Sequence, residues 1–403
     1  MNSNQHQRRQ LLKGMGAAGL LAYAPFAAAR STSIQSPRMA VFLPRSGRYP
    51  TLSAEYLAGL TVGLSQHGLD AEALRPIEYG ANPAVGIRQA KALLTSERMD
   101  VMTGVLCPTA ALALEPALLG AGVPLLVNDS GANRMPAGEH SGIIIRQSLE
   151  YWQSCAAFGQ WAPNQLGHRA VLAMGNLEYG YDFPAAFSEA FTASGGTVVA
   201  THVSGLPQAD QEFSGLAAAI QEHQPDFVFA LYSGPQGERF VSTYRASAWA
   251  NKVPLASGGF LGSNTPAGVA GPDWSIASWH GATATCSRFA AACDAGNVRV
   301  TPFSVLGYES GDRIAAAWLA SRSTSQAFVT ALHATPPTGP RAQRQYHQAS
   351  MESHGIHWIA ASGALQNSLP QVVHTESFSN RSPLAQITAP QQQRGWVNPY
   401  LIT

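Results

Sequence analysis

The feature that most constrains this chain is that its structural grammar is written twice. Short apolar runs alternate with segments of helical period. The first half predicts strands at 39–43, 76–79, 101–106 and 123–127. Between them lie a helix carrying Leu57, Leu60 and Leu64 on one face, a helix over 84–96 with Ile87, Ala90 and Leu94 at helical spacing, and a helix over 109–119. The second half predicts strands at 170–174, 197–203, 226–232 and 253–256, separated by helices over 184–193, 211–223 and 237–248. Such alternation builds a parallel sheet with helices on both faces. The echo is partly literal: Asp100 precedes Val123-Pro124-Leu125 by 23 residues, and Asp226 precedes Val253-Pro254-Leu255 by 27. Two similar doubly wound α/β lobes follow, with the join near residues 146–150.

The remainder must be shared between the lobes. Helices over 310–320 and 326–334 are expected to return to the first lobe. Strand-like runs at 357–361 and 371–375 are expected to recross to the second. The predicted division is therefore 38–147 plus 278–360 for lobe 1, and 148–277 plus 361–403 for lobe 2, joined by a three-strand hinge. Ser53 is placed to cap the first helix.

Composition narrows the function classes. Of 403 residues, 45% are hydrophobic, ample for two cores, and only 12% are charged, which excludes charge-driven disorder. The formal net charge of +1 lacks the basic excess of a non-specific nucleic-acid binder. Residues 1–29 read as a removable export signal: Arg8-Arg9-Gln10-Leu11-Leu12-Lys13, an apolar stretch, then Ala27 and Ala29 at peptidase spacing. The string resembles a twin-arginine signal, with Gln7 where Ser or Thr is usual. Its loss leaves 22 bases against 24 acids. The apolar run is short and interrupted by Pro25, so no stable membrane insertion is expected. Gly14-Met15-Gly16-Ala17-Ala18-Gly19 matches GxGxxG but follows no strand, so it is no nucleotide motif.

In an oxidising compartment Cys107, Cys155, Cys286 and Cys293 could pair in three ways. Cys286 and Cys293 flank a short segment, and a small disulfide loop is expected there. There is no CxxC, HExxH or GxSxG, and no Walker loop, so no metal, no cofactor and no enzymatic centre are expected. Cys107 lies at a strand end before a helix, yet a half-buried loop cysteine is the plainer reading than a nucleophile.

Ligands of open parallel sheets sit outside the carboxyl ends of the strands. That rule selects loops 44–51, 106–109 and 128–133 in the first lobe, and 175–182, 232–237 and 257–263 in the second. Several residues in these loops carry a resemblance. Leu43-Pro44-Arg45-Ser46-Gly47-Arg48-Tyr49 followed by Tyr56-Leu57-Ala58-Gly59 is similar to the opening of the branched-chain amino-acid-binding family of periplasmic proteins, the solute receptors of ABC importers. Gly104-Val105-Leu106-Cys107, Gly122-Val123-Pro124-Leu125, Glu178-Tyr179-Gly180 and Gly307-Tyr308-Glu309 fall where that family places similar strings.

The resemblance implies a two-lobed flytrap that closes on its ligand, with a permease as partner and a monomeric, periplasmic protein. It implies first-lobe contacts from Cys107, Thr109, Asn128, Asp129, Ser130 and Gly131. Tyr179, Tyr232, Ser233 and Phe260 would contribute from the second lobe, and Tyr49 would wall the pocket. Trp152 is expected to pack at the hinge. The chain departs from the family where Pro108 replaces an expected donor. Asp129 replaces a small neutral residue, either to attract an amine or to cap the next helix. The implied ligand is a small polar or amphipathic molecule such as an amino acid or amide. A periplasmic sensor that signals to a membrane protein, or an exported α/β enzyme, are the competing classes.

Overall fold

The structure is a computed structural model that describes residues 35–72, 74–134, 141–205, 212–261, 270–281, 283–324, 327–335, 338–341, 345–347, 352–354, 356–361, 371–374 and 400–402. The signal expected over 1–29 and the arginine pair lie outside these residues. Two parallel sheets dominate. The first is built from β1 (Met39–Pro44), β2 (Leu74–Tyr79), β3 (Val101–Val105), β4 (Leu125–Asp129) and β5 (Ile144–Ser148), in the order β2-β1-β3-β4-β5. All its pairings are parallel. β1, β3, β4 and β5 are buried along their whole length, as strands covered on both faces must be.

The second sheet contains β6 (Arg169–Gly175), β7 (Thr197–Ser204), β8 (Phe227–Leu231), β9 (Leu255–Gly258) and β10 (Trp274–Ala277), parallel in the order β10-β9-β8-β6-β7. Apart from a small hairpin of β11 (Gln345–His347) and β12 (Glu352–His354), two late strands complete it. β13 (Ile356–Ala361) pairs antiparallel with β10, and β14 (Gln371–His374) pairs antiparallel with β13. The recrossing to the second lobe is therefore complete before residue 356, and the expected boundary at 360/361 is too late. His357 and Ile359 are fully buried while Trp358 and Ala360 are not. That alternation marks a strand seated on a core.

The helices follow the predicted pattern with shifted ends. α1 (Leu52–Ser65) and α2 (Pro83–Ser96) cover the first sheet, the latter capped by Asn82, whose Oδ1 accepts from the Ala84 N–H at 3.0 Å. Ser53 does not cap α1. It sits inside the first turn and donates to the Pro44 carbonyl at 2.6 Å, tying the helix to the end of β1. The helix expected over 109–119 is two pieces, α3 (Pro108–Leu112) and α4 (Glu115–Ala121). Pro116 has no N–H to continue the first and is tolerated in the opening turn of the second. α5 (Tyr151–Gln165), α6 (Asp182–Ala193), α7 (Ser214–His223) and α8 (Gly234–Ala246) serve the second lobe. Phe158, Phe187 and Phe229 stack there with centroids 4.1–6.3 Å apart.

α9 (Ala284–Ala295), α10 (Pro302–Thr324) and α11 (Phe328–Ala334) complete the described helices. α9 overturns the expected disulfide, because Cys286 and Cys293 are free and buried on one continuous helix. Seven residues of helix put their Cα atoms about 10 Å apart, beyond the roughly 7 Å a bridge can span. α10 is much longer than the expected 310–320 and crosses α1 at backbone contact. Gly59, Gly63, Gly307 and Gly311 form the crossing; a Cβ on Gly307 would overlap the Tyr56 carbonyl.

The first crossing between lobes passes through Leu149 and Glu150. Glu150 is fully buried with φ 55°, a left-handed conformation that side-chain-bearing residues seldom adopt. Ser278, at the second crossing, donates to the Leu149 carbonyl at 2.9 Å. Arg341 leads into the third and forms a buried pair with Glu309 at 2.6 Å, while also donating to the Ser148 carbonyl. His357 meets Ser154 at 2.8 Å and Glu150 at 3.5 Å, so the crossings are fastened to one another. No described helix is long and apolar enough to cross a membrane.

Candidate functional site

The carboxyl ends of the two sheets face each other, and the loops that leave them form an interlobe cleft. After β1, Ser46 accepts the Tyr49 N–H at 2.9 Å, a turn that presents Arg48 and Tyr49 to the second lobe. Arg48 Nη1 donates to Ser233 Oγ at 2.8 Å and pairs with Glu178 Oε1 at 3.3 Å. Ser233 also donates to Glu178. Tyr49 packs edge-on to Phe303 at 5.2 Å and against Phe260 at 5.5 Å. Thus a first-lobe loop is locked into loops after β6, β8 and β9.

A second clasp lies across the cleft. The Arg134 N–H donates to Asp182 Oδ2 at 3.0 Å, and the Asp182 N–H donates to Asn133 Oδ1 at 3.1 Å. The Arg134 guanidinium reaches Glu189 at 3.4 Å and lies over the Trp152 ring at 5.1 Å. Its Nε is buried and donates no hydrogen bond. Trp152 is buried in the first turn of α5, beside the hinge.

The loop after β4 is rigid for a local reason. The Gly131 N–H donates to Asp129 Oδ1 at 2.8 Å and the Ala132 N–H to Ser130 Oγ at 3.2 Å. The Ser130 and Gly131 carbonyls in turn accept the Tyr151 and Trp152 N–H groups, orphan donors of the α5 terminus. Gly131 has φ 68°, and a Cβ there would stand 2.7 Å from the Glu150 nitrogen. Asp129 is doubly held by Arg146, at 3.0 and 3.2 Å. Its charge is therefore matched inside lobe 1, and it closes the loop turn at 129–131 rather than capping a helix as expected.

The remaining nominated residues divide sharply. Cys107 is the cap of α3 and lines the cleft beside Thr109, Ser130 and Arg134. Burial pushes its thiol up to about 11, the reverse of an activated nucleophile. Phe260 and Ser233 lie at the cleft. Asn128 does not. Its amide donates to Tyr56 at 2.9 Å and its oxygen accepts from Ser310 at 3.0 Å, so its polar atoms are used within the first-lobe core. Tyr232 is fully buried in the second lobe, bonded to Ser204 at 2.7 Å and stacked on Phe240 at 4.1 Å. Tyr179 is 62% exposed and faces solvent. Tyr181, two residues on, takes the place expected of it and lines the cleft.

Sequence reasoning missed Arg48, Arg134, Tyr151, Glu178 and Tyr181. Tyr151 donates to the Gly258 carbonyl at 3.1 Å and stacks on Phe183 at 4.2 Å. Glu178 is almost fully buried; burial raises its carboxyl above the ordinary 4.5, while Arg48 opposes the rise. Arg48 and Glu178 stood within quoted strings, and an isolated charge beside aromatics at a strand end was the signal available. Among the described residues no group of three or more His, Cys, Asp or Glu could hold a metal.

Comparison with known proteins agrees with this geometry. The chain is 26% identical over 232 residues to Leu/Ile/Val-binding protein homolog 6 of Brucella abortus (strain 2308), an alignment covering 56% of this chain and 58% of the relative. The chain thus spans less than two thirds of that curated relative. An ABC transporter substrate-binding protein from Sphaerobacter thermophilus superposes with a TM-score of 0.67 at 22% identity, covering 85% of this chain and 97% of that one. An ABC-transporter solute-binding protein of R. palustris in complex with benzoate gives 0.64 at 22%, covering 84% and 96%. The family described as Periplasmic binding protein matches residues 36–359, both lobes and the crossings between them. The chain belongs to the periplasmic binding protein family.

Proposed function

We propose that this protein is the solute receptor of an ABC importer and captures a small carboxylate with an apolar body, an aromatic acid or a branched or aromatic amino acid. The carrying observation is the pairing of Arg134, whose buried Nε is unsatisfied at the cleft, with a wall of Tyr49, Tyr151, Tyr181 and Phe260. A buried donor without an acceptor signals a group still to arrive. The rings offer apolar area for the ligand's body. The Brucella relative carries Leu/Ile/Val in its name and the R. palustris protein holds benzoate; both are carboxylate chemistries, which supports the same class. Asp129 is neutralised by Arg146 and so gives little pull on an amine alone.

Magnitudes are permissive. Micromolar binding requires about −8 kcal/mol, and small ligands reach up to about −1.5 kcal/mol per heavy atom, so ten atoms suffice. A ligand touching both lobes favours the closed state and shifts the population toward it. The importer then reads the closed shape. The protein acts in the periplasm, and Arg8-Arg9 support export by the twin-arginine route.

The test is thermal unfolding of the chain from Arg30 onward against aromatic acids, branched and aromatic amino acids, amides, polyamines and sugars. Carboxylates with apolar bodies should raise the midpoint saturably, by the equivalent of about 2.7 kcal/mol at a hundredfold excess over Kd. A response to polyamines alone, abolished by Asp129→Asn, would overturn the assignment.

A further inference from the structure

The cleft described above is occupied by the chain itself. Tyr400, Leu401 and Ile402 are buried at 3%, 3% and 2% exposure. They lie against loops of both lobes rather than on the surface of either. The Tyr400 ring stands 5.0 Å from Tyr181, 5.6 Å from Phe183 and 5.8 Å from Phe260. Its hydroxyl donates to Glu178 at 3.1 Å, and the Arg48 guanidinium lies 5.8 Å from the ring. Leu401 and Ile402 line the same recess as Cys107, Thr109 and Arg134. The space left beside them is about 30 Å³, enough for a water and too little for an amino acid.

We propose that residues 400–402 are an intramolecular ligand of the interlobe cleft, which holds the lobes together in the absence of solute and must be expelled before solute binds. The contacts are those a captured molecule would make: an aromatic ring inside the aromatic wall, a hydroxyl on the Glu178–Arg48–Ser233 cluster, and branched side chains in the recess beyond. Such a segment is tethered, so it competes at a high effective concentration. Any solute then binds with its intrinsic affinity divided by the inverse of the unoccupied fraction, because only chains with an empty cleft are competent. The device sets a threshold: traces of solute leave the receptor self-occupied, and only a solute that outcompetes the segment is loaded into the cleft.

The experiment needs no knowledge of the solute, so its outcome is independent of the carboxylate reading above. Small-angle scattering is recorded for the chain from Arg30 to Thr403, for the same chain ended at Pro399, and for Tyr400→Ala. The synthetic peptide Pro-Tyr-Leu-Ile-Thr serves as probe. The shortened chain should open, with a larger radius of gyration, and should close again as it takes up the peptide saturably. Tyr400→Ala should open in part, and the full chain should ignore the peptide. Once a solute is identified, removal of the segment should tighten its binding on the order of tenfold or more. A shortened chain that keeps the scattering profile of the full chain and takes up no peptide overturns the proposal. So does one that fails to fold, since the segment would then be a structural element rather than a displaceable occupant.

Discussion

Arg48 is the residue on which the interlobe contact turns. Its side chain is 19% exposed and that of Glu178 only 1%, so Arg48→Met would leave a nearly dry carboxylate without its cation. Breaking such a pair from one side costs about 3 kcal/mol, the lower end of the usual range because Arg48 keeps part of its hydration. The pH dependence has a definite sign. A carboxyl whose folded value lies above the unfolded one holds its proton longer in the native state, so stability falls as pH rises through that interval. In Arg48→Met the melting temperature should fall more steeply above about pH 4.5 than in the parent, and Glu178→Gln added to it should flatten the profile. Gly131→Ala should cost at least about 2 kcal/mol by denaturant unfolding, because alanine pays for the left-handed conformation and its Cβ meets the hinge backbone. At this scale the sequence was only half legible. Phe260 and Ser233 could be named because they lie in the loops that leave β9 and β8. Tyr179 and Tyr181 could not be told apart, since a three-residue helical turn at Glu178–Gly180 sends one outward and the other in. Asn128 and Tyr232 point back into their cores, and nothing in a single string shows which way a strand-end side chain faces.

Elements were more legible than their ends. Periodicity found β1–β4 and β6–β9 within a few residues, because buried parallel strands are continuous apolar runs, but it missed β5 and β10. It missed α9, where Thr, Ser and Cys dilute the pattern and the cysteines suggested a loop instead. The helical placement predicts four free thiols under denaturing, non-reducing conditions, and a melting temperature unmoved by reductant; loss of two thiols would contradict it. It also underestimated α10, whose N-terminal half carries Gly307 and Gly311 where α1 presses closest. Small residues there permit the crossing, so Gly307→Ala should destabilise the protein by about 1–3 kcal/mol, measured by denaturant unfolding.

For the whole molecule, duplication in the sequence was enough to foresee two lobes, a cleft between the carboxyl ends of their sheets and a chain that crosses more than once. The run at 357–361 was expected to recross, but the division was set at 360/361 rather than before β13, because β13 is short and its partner β10 is a four-residue strand with little pattern of its own. The occupation of the cleft by residues 400–402 was invisible, since it depends on a meeting of segments roughly 140 to 350 residues apart. The central claim is that one small molecule bridges both lobes. Calorimetric titration with the solute that most raises the melting temperature tests it directly, using the parent chain, Thr109→Val and Arg134→Met on one side of the cleft, and Phe260→Ala on the other. Bridging predicts that substitutions on either side weaken binding by tenfold or more, about 1.4 kcal/mol each. Affinity lost on one side only, and untouched on the other, would mean that the solute sits on a single lobe and that the cleft is not its site.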